Sequence, residues 1–206
     1  MWFAFIISIM NADHIMNSSR NSLDEVNDQF NHELSKQIAG TLPKGHIYRL
    51  GYPGNILLST GFPYLPIELS STRLYEKSKQ DNHPYEIIDI RNIVLSLQSP
   101  LAIFSYGDKE KSQNVIIELK HKSKYFLVGM FITYYKEIDV ISIRGLFPKD
   151  TAEWLNWIIQ GKSLYLNKQK IQALIDQQRI NLADVAYLDL NLVESLLETF
   201  VNPLQR

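Results

Sequence analysis

The sequence contains no cysteine, which excludes disulfide bonds, zinc–thiolate sites and thiol nucleophiles together. It also lacks the glycine-rich phosphate-binding patterns and the H-E-x-x-H and G-x-S-x-G patterns of common nucleotide-binding and hydrolytic sites. The five histidines, at positions 14, 32, 46, 83 and 121, have no metal-ligand spacing among themselves. The sequence therefore predicts neither a metal site nor a cofactor.

A long hydrophobic run is also missing. Residues 1–10 are almost wholly apolar, but a membrane span needs about 20 such residues. A secretory signal carries basic residues ahead of its apolar run, whereas the first basic residue here is Arg20. We interpret residues 1–10 as an upstream extension or a segment docked on a partner, with a weak membrane anchor as the alternative. The expected location is the cytoplasm, or the cytoplasm of a target cell into which the protein is delivered.

Neither sign of charge dominates, since the net charge is −1, but the charges are unevenly distributed. Residues 1–33 carry a net charge of −4 and residues 180–206 carry −3, which leaves +6 on the middle of the chain. A basic body between acidic ends is compatible with a polyanionic ligand. The alternative is a mixed surface whose asymmetry has no functional meaning.

Hydrophobic periodicity divides the chain into three parts. Residues 1–40 are predicted to be an extension, partly disordered and then helical from Glu25 to Ile38. Residues 41–179 form the main domain, which starts with strand candidates among many glycines and prolines. Those candidates are Ile47–Leu50, Ile56–Ser59 and Ile67–Leu69. Residues 180–206 are a helical extension.

The middle of the main domain has a β-sheet pattern. A helix over residues 71–79 and a helix face of Ile90, Ile93, Val94 and Leu97 come first. Four β-rich runs follow between residues 101 and 147, and because the breaks between them are short, neighbouring strands must be antiparallel. Ser163–Leu166 is a further strand candidate among the final helices. The predicted fold is α+β, with N-terminal helices, a four- to five-stranded antiparallel sheet and C-terminal helices.

Six segments carry a family resemblance: AIFSYG, NVIIEL, FLVGMFI, VISIRGLFPKD, EWLNWI and GKSLYLNKQK. Their order resembles the C-terminal domain of Mu-type phage head-morphogenesis proteins, which is grouped with the barnase–EndoU–colicin–RelE-like (BECR) nucleases. The resemblance covers about residues 66–175, and the large head-morphogenesis part is missing. Its motifs fall at His83-Pro84-Tyr85, Pro100–Phe104, Ser142-Ile143-Arg144, Trp157-Ile158 and Leu164-Tyr165 with Lys168.

The resemblance implies a metal-independent RNase of the toxin or effector type from a phage or mobile element. Such an enzyme cleaves RNA by 2′-hydroxyl transesterification, and an immunity or antitoxin protein is the implied partner. On this interpretation His83 is the acid or base, Arg144 holds the phosphate and Lys149 is a third catalytic cation. The predicted substrate contacts are Ser142, Tyr165 and Lys168.

Each assignment has a structural alternative. His83 can cap or pack beneath a helix, Arg144 can be a solvated charge, and Tyr165 can be a core residue. Strict alternation along residues 139–147 places Val140, Ser142, Arg144 and Leu146 on one face. No acidic residue stands out as a general base, which favours the alternative of a non-catalytic, phage-derived module for nucleic-acid binding or assembly. An interaction domain with no nucleic-acid role is the third interpretation.

Overall fold

The computed structural model describes residues 22–79, 85–106, 112–119, 124–135, 138–149, 151–176 and 189–205. Residues 1–21, which include most of the part of the extension that was predicted to be disordered, lie outside these ranges. The described helices are α1 (22–38), α2 (Asn55–Ser59), α3 (Ser71–Ser78), α4 (Ile93–Gln98), α5 (Thr151–Ile159), α6 (Lys168–Asp176) and α7 (Leu190–Thr199). In this part of the chain, no helix combines the length and apolar character that crossing a membrane requires.

Seven described strands form one sheet in the order β1-β2-β6-β5-β4-β3-β7. The strands are β1 (Ile47–Arg49), β2 (Ile67–Ser70), β3 (Ala102–Ser105), β4 (Ser112–Leu119), β5 (Lys124–Tyr135), β6 (Ile138–Pro148) and β7 (Ser163–Leu166). The predicted α+β fold is confirmed, and its antiparallel sheet corresponds to the block β6-β5-β4-β3-β7. The antiparallel pair β1–β2 extends this block, because β2 pairs parallel with β6.

Helices cover both faces of the sheet. Phe30 and Leu34 of α1, together with α3 and α4, bury the face that carries Ile67, Ile141 and Ile143. A second cluster packs the other face of β3, β4 and β7 against α5, α6 and α7. The helix from the predicted N-terminal extension therefore contributes side chains to the same core as the sheet.

Two local predictions were wrong. The strand candidate Ile56–Ser59 belongs to α2, which begins after Gly54 and buries only Leu57 in the core. The single helix face around residues 90–97 is divided into a 3-10 turn, Ile87–Ile90, and α4. The division occurs at Asn92, whose φ of +63° lies in the left-handed region and interrupts the helix.

Asn92 is also the centre of an asparagine cluster formed with Asn27 and Asn31 of α1. Its Oδ1 accepts hydrogen bonds from Asn27 Nδ2 at 3.0 Å and from Asn31 Nδ2 at 2.8 Å. Its backbone N–H donates to Asn31 Oδ1 at 3.1 Å. The cluster therefore joins α1 to the segment that leads into α4.

The C-terminal segment covers part of the edge strand β7. The Leu166 N–H donates to Asn202 Oδ1 at 3.0 Å, and Asn202 Nδ2 donates to the Leu166 carbonyl, also at 3.0 Å. The amide of Asn202 thus occupies the place of a neighbouring strand at Leu166. The following 3-10 turn, Pro203–Gln205, contacts α2, so the segment passes around the sheet edge from one helical layer to the other.

Candidate nucleic-acid interface

The position of α3 follows from the strand before it. Ser70 ends β2 and also caps α3, since its hydroxyl accepts from the Arg73 N–H at 3.4 Å. Because β2 is hydrogen-bonded to β6, α3 packs against both strands. Arg73 and Lys77 are four residues apart on the same flank of the buried Leu74, so both lie along one border of the buried face of α3.

A β-bulge shapes the facing strand at Arg144. Gly129 of β5 pairs with Gly145, and the next residue of β5, Met130, pairs with Ile143. Arg144 is therefore the extra residue of the bulge, a feature that re-aims side chains and is frequent beside active sites. The strict alternation predicted for this strand was wrong beyond Ile143, because the bulge returns Leu146 to the core face.

The bulge and α3 pack closely around a gap that has no room for a water molecule, and we call the residues around this gap the cationic crevice. Arg73, Lys77 and Arg144 line it, and all three are half-buried. The described lining contains no carboxylate. Its remaining members are largely apolar: Leu69, Leu74, Tyr85, Ile143, Gly145 and Leu146. The gap itself has no room for a phosphate group, but three cations gathered around it are electrostatically complementary to a phosphate that binds from outside.

Tyr85 forms a rigid wall of this crevice. Its hydroxyl donates to the Leu74 carbonyl at 3.1 Å, and its ring meets Phe126 edge-on with centroids 5.7 Å apart. Burial raises the pKa of Tyr85 well above its usual value, so the hydroxyl stays protonated and neutral. Tyr85 therefore positions α3 and carries no charge of its own.

Two predicted site residues near Arg144 differ in their surroundings. Ser142 lies on β6 opposite Glu68 of β2, on the other side of the strand from Ile141 and Ile143. Lys149 follows the end of β6, where its ammonium pairs with Glu153 of α5 and lies 5.4 Å from the centroid of the Trp157 ring. Lys149 is thus engaged with α5 in the other helical layer.

The other two described site residues lie at the far edge of the sheet. Tyr165 is on β7, and with β5, β4 and β3 in between it is about 19 Å from Arg144. Its side chain is only 7% exposed, and this burial raises its pKa. Lys168 donates to the Glu198 carbonyl at 3.0 Å, which ties α6 to α7. The structure therefore does not bring Tyr165 or Lys168 to the cationic crevice.

His83 lies outside the described residues, so its predicted meeting with Arg144 stays a prediction. Another histidine, His46, has its Nε2 atom 2.9 Å from Glu33 Oε2, and this contact links β1 to α1. Among the residues that the structure describes, no group of three or more His, Cys, Asp or Glu side chains is arranged to hold a metal ion.

Sequence reasoning found Arg144 but missed Arg73 and Lys77. The sequence does contain one signal for them: Arg73 and Lys77 are four residues apart, beside Leu74, on a predicted helix. The spacing alone does not indicate a site, because α3 lies beside Arg144 only through the parallel pairing of β2 with β6.

Comparison with known families adds one finding. Residues 75–173 match the family model of the phage MuF C-terminal domain. No curated protein and no solved structure matches the chain. The match to the phage domain confirms that part of the predicted resemblance and takes in β3 to β7, which form a continuous block of the sheet. Lys77, Tyr85 and Arg144 fall inside the matched residues, whereas Arg73 precedes them.

Proposed function

We propose that this domain is an RNA-cleaving protein of the toxin or effector type from a phage or mobile element. The observation that carries the proposal is the cationic crevice, where Arg73 and Lys77 of α3 meet Arg144 of the β6 bulge. Guanidinium groups bind phosphate oxygens in a bidentate manner, and an ammonium adds a point charge. The similarity of residues 75–173 to a phage domain supports the proposed source.

The proposed reaction needs no metal, because the protein cations can stabilise the charge that develops. The RNA 2′-oxygen attacks the adjacent phosphorus, and the bond from phosphorus to the 5′-oxygen breaks. One proton leaves the 2′-hydroxyl, another reaches the departing 5′-oxygen, and the products carry 2′,3′-cyclic phosphate and 5′-hydroxyl ends. Arg73, Lys77 and Arg144 would hold the non-bridging oxygens as negative charge grows on them.

His83 is our proposed acid or base, since an imidazole titrates near pH ~6.5 and can give or take a proton at neutral pH. The described residues on either side of it in sequence, Lys79 and Tyr85, line a groove beside α3. Tyr85 also lines the cationic crevice. Tyr85 follows His83 by two residues in sequence, and this short separation from the crevice supports the proposal.

An RNA cleavage assay with EDTA present tests the proposal. Arg144→Ala and His83→Ala should each slow cleavage by about 100-fold or more, with thermal melting near that of the unmodified protein. Lys162→Ala, at an exposed turn before β7, is the matched control and should cleave normally. Normal cleavage by both site variants would disprove this site, and products without cyclic phosphate ends would disprove the mechanism.

The implied partner is an immunity or antitoxin protein that covers the crevice with acidic side chains. Expression of the unmodified protein should then arrest bacterial growth, and Arg144→Ala should relieve the arrest. Equal arrest by both forms would contradict a toxic role for this site.

A non-catalytic RNA-binding or assembly module is the second candidate function. It is favoured by the described lining of the crevice, which contains no carboxylate to act as a general base. Three phosphate contacts to single-stranded RNA predict a slope of about −2 for log K against log salt concentration. Removing Arg144 should reduce the size of that slope by about 0.7. RNA binding with these slopes but without any product would favour this candidate.

A further inference from the structure

A second depression lies on the opposite side of α3 from the cationic crevice. It is an open groove of about 720 Å³, which we call the aromatic groove. The residues that line it are Gln37, Ile38, Tyr75, Ser78, Lys79, Tyr85, Glu86, Ile87 and Ile88. Tyr85 lines both depressions, so its buried side chain and α3 lie between the groove and the crevice.

Tyr75 is the most distinctive side chain of the groove. It is 53% exposed, although a tyrosine ring gains free energy when it leaves water. Lys79, four residues further along α3, places its Nζ atom 5.6 Å from the ring centroid. Across the groove, Ile38 of α1 is 50% exposed. An aromatic ring, an apolar wall and an adjacent cation are the elements that a nucleotide needs for base stacking and phosphate contact.

Lys79 and Glu86 give the groove one charge of each sign, and the Glu86 carboxylate caps the 3-10 turn Ile87–Ile90. Gln37 and Ser78 form hydrogen bonds within the protein. The Gln37 side chain donates to the Ser71 carbonyl at 2.8 Å and accepts from the Tyr48 hydroxyl at 2.5 Å. The Ser78 hydroxyl donates to the Tyr75 carbonyl at 2.8 Å. With these donors and acceptors occupied, the groove favours the flat shape of a base over the hydrogen-bonding pattern of one particular base.

We propose that the aromatic groove binds an unpaired nucleobase, stacked on Tyr75, from the same RNA whose phosphate contacts the cations around the cationic crevice. The proposal rests on the proposed function and narrows its substrate class to single-stranded RNA. Lys79 supplies a contact for the phosphate next to the stacked base. A duplex is a poor ligand, because its bases are stacked on one another and cannot reach the ring. Preference among the four bases is small.

Binding measurements with 2′-O-methyl RNA test this proposal, because such RNA lacks the nucleophilic hydroxyl and is not cleaved. The probes are a single-stranded oligonucleotide of mixed sequence and the duplex that it forms with its complement. Tyr75→Ala should weaken single-strand binding by about 5- to 150-fold, as expected for the loss of one stacked base. Tyr75→Phe keeps the aromatic face and should bind within about twofold of the unmodified protein.

Tyr64→Ala is the matched control, since Tyr64 is 68% exposed but stacks on Tyr52 outside the groove. It should leave RNA binding unchanged. If Arg144→Ala weakens binding while Tyr75→Ala does not, the groove proposal fails and the proposed function stands. If neither variant weakens RNA binding, both fail, and the groove then suits a protein partner better. Equal affinity for single strand and duplex would also overturn the proposal.

Discussion

Replacing Asn92 with alanine is the sharpest test of how α1 is held to the rest of the fold. The side-chain oxygen of Asn92 accepts from the amides of Asn27 and Asn31, and Asn27 is buried. The backbone of Asn92 has a φ of +63°, which asparagine tolerates better than alanine does. The substitution therefore removes two hydrogen bonds and places an unsuitable residue in a left-handed conformation.

The expected loss of stability follows from these two effects. Each lost hydrogen bond contributes about 0.5–1.5 kcal/mol, and the left-handed conformation costs alanine about 1–2 kcal/mol. Together they lower the free energy of unfolding by about 2–5 kcal/mol. For a chain of this length, each kcal/mol shifts the melting temperature by about 2–4 °C. Asn92→Ala should therefore melt about 4–20 °C lower.

Urea unfolding of three variants separates the two effects. Asn92→Gly loses the same hydrogen bonds but suits the positive φ, so it should be about 1–2 kcal/mol more stable than Asn92→Ala. Asn92→Asp keeps oxygen acceptors for both amides and should stay within about 1 kcal/mol of the unmodified protein. An Asp variant as unstable as the Ala variant would refute the hydrogen-bonding argument. A Gly variant no better than the Ala variant would refute the backbone argument.

Three further predictions concern stability. Asn202→Ala removes both bonds to the backbone of Leu166 and should lower the free energy of unfolding in urea by about 1–3 kcal/mol; an unchanged value would show that the C-terminal segment does not hold β7. Lys149→Met keeps the alkyl contact on α5 but loses its ion pair and its contact with an aromatic ring, so calorimetry should register a loss below about 1.5 kcal/mol. Burial raises the pKa of Tyr48 and Tyr85 above 10.0, so their stabilising contribution is complete below pH 10 and is lost as the pH rises further. Urea midpoints should fall above pH 10, and Tyr85→Phe should flatten that fall.

The parts of the fold that depend on local pattern were predictable from the sequence. Ser163–Leu166 was predicted with the bounds that β7 has, because Gly161 and Asn167 delimit the short apolar run between them. The capping roles of Ser70 and Asn167 were also predictable, since each side chain bonds to a backbone N–H three residues further along.

The parts that depend on distant contacts were not predictable. The sequence of Ile56–Ser59 suits a strand, but packing of Leu57 in the core selects a helix. The parallel pairing of β2 with β6 joins segments more than 70 residues apart, and no local signal specifies it. Because this pairing brings α3 to Arg144, the cationic crevice could be predicted only in part: one of its three cations was identified and two were missed.

The bulge in β6 makes Arg144 an extra residue in the pairing of β6 with β5. If this one residue were deleted, Ile143 would be followed directly by Gly145, and every position of β6 would match β5 without interruption. Inward and outward positions would then alternate regularly from Ile141 to Leu146. The strand needs no residue at this point to pair or to fill the core. A shortened protein lacking Arg144 is therefore expected to form the same sheet, and on the proposed function it should bind phosphate more weakly.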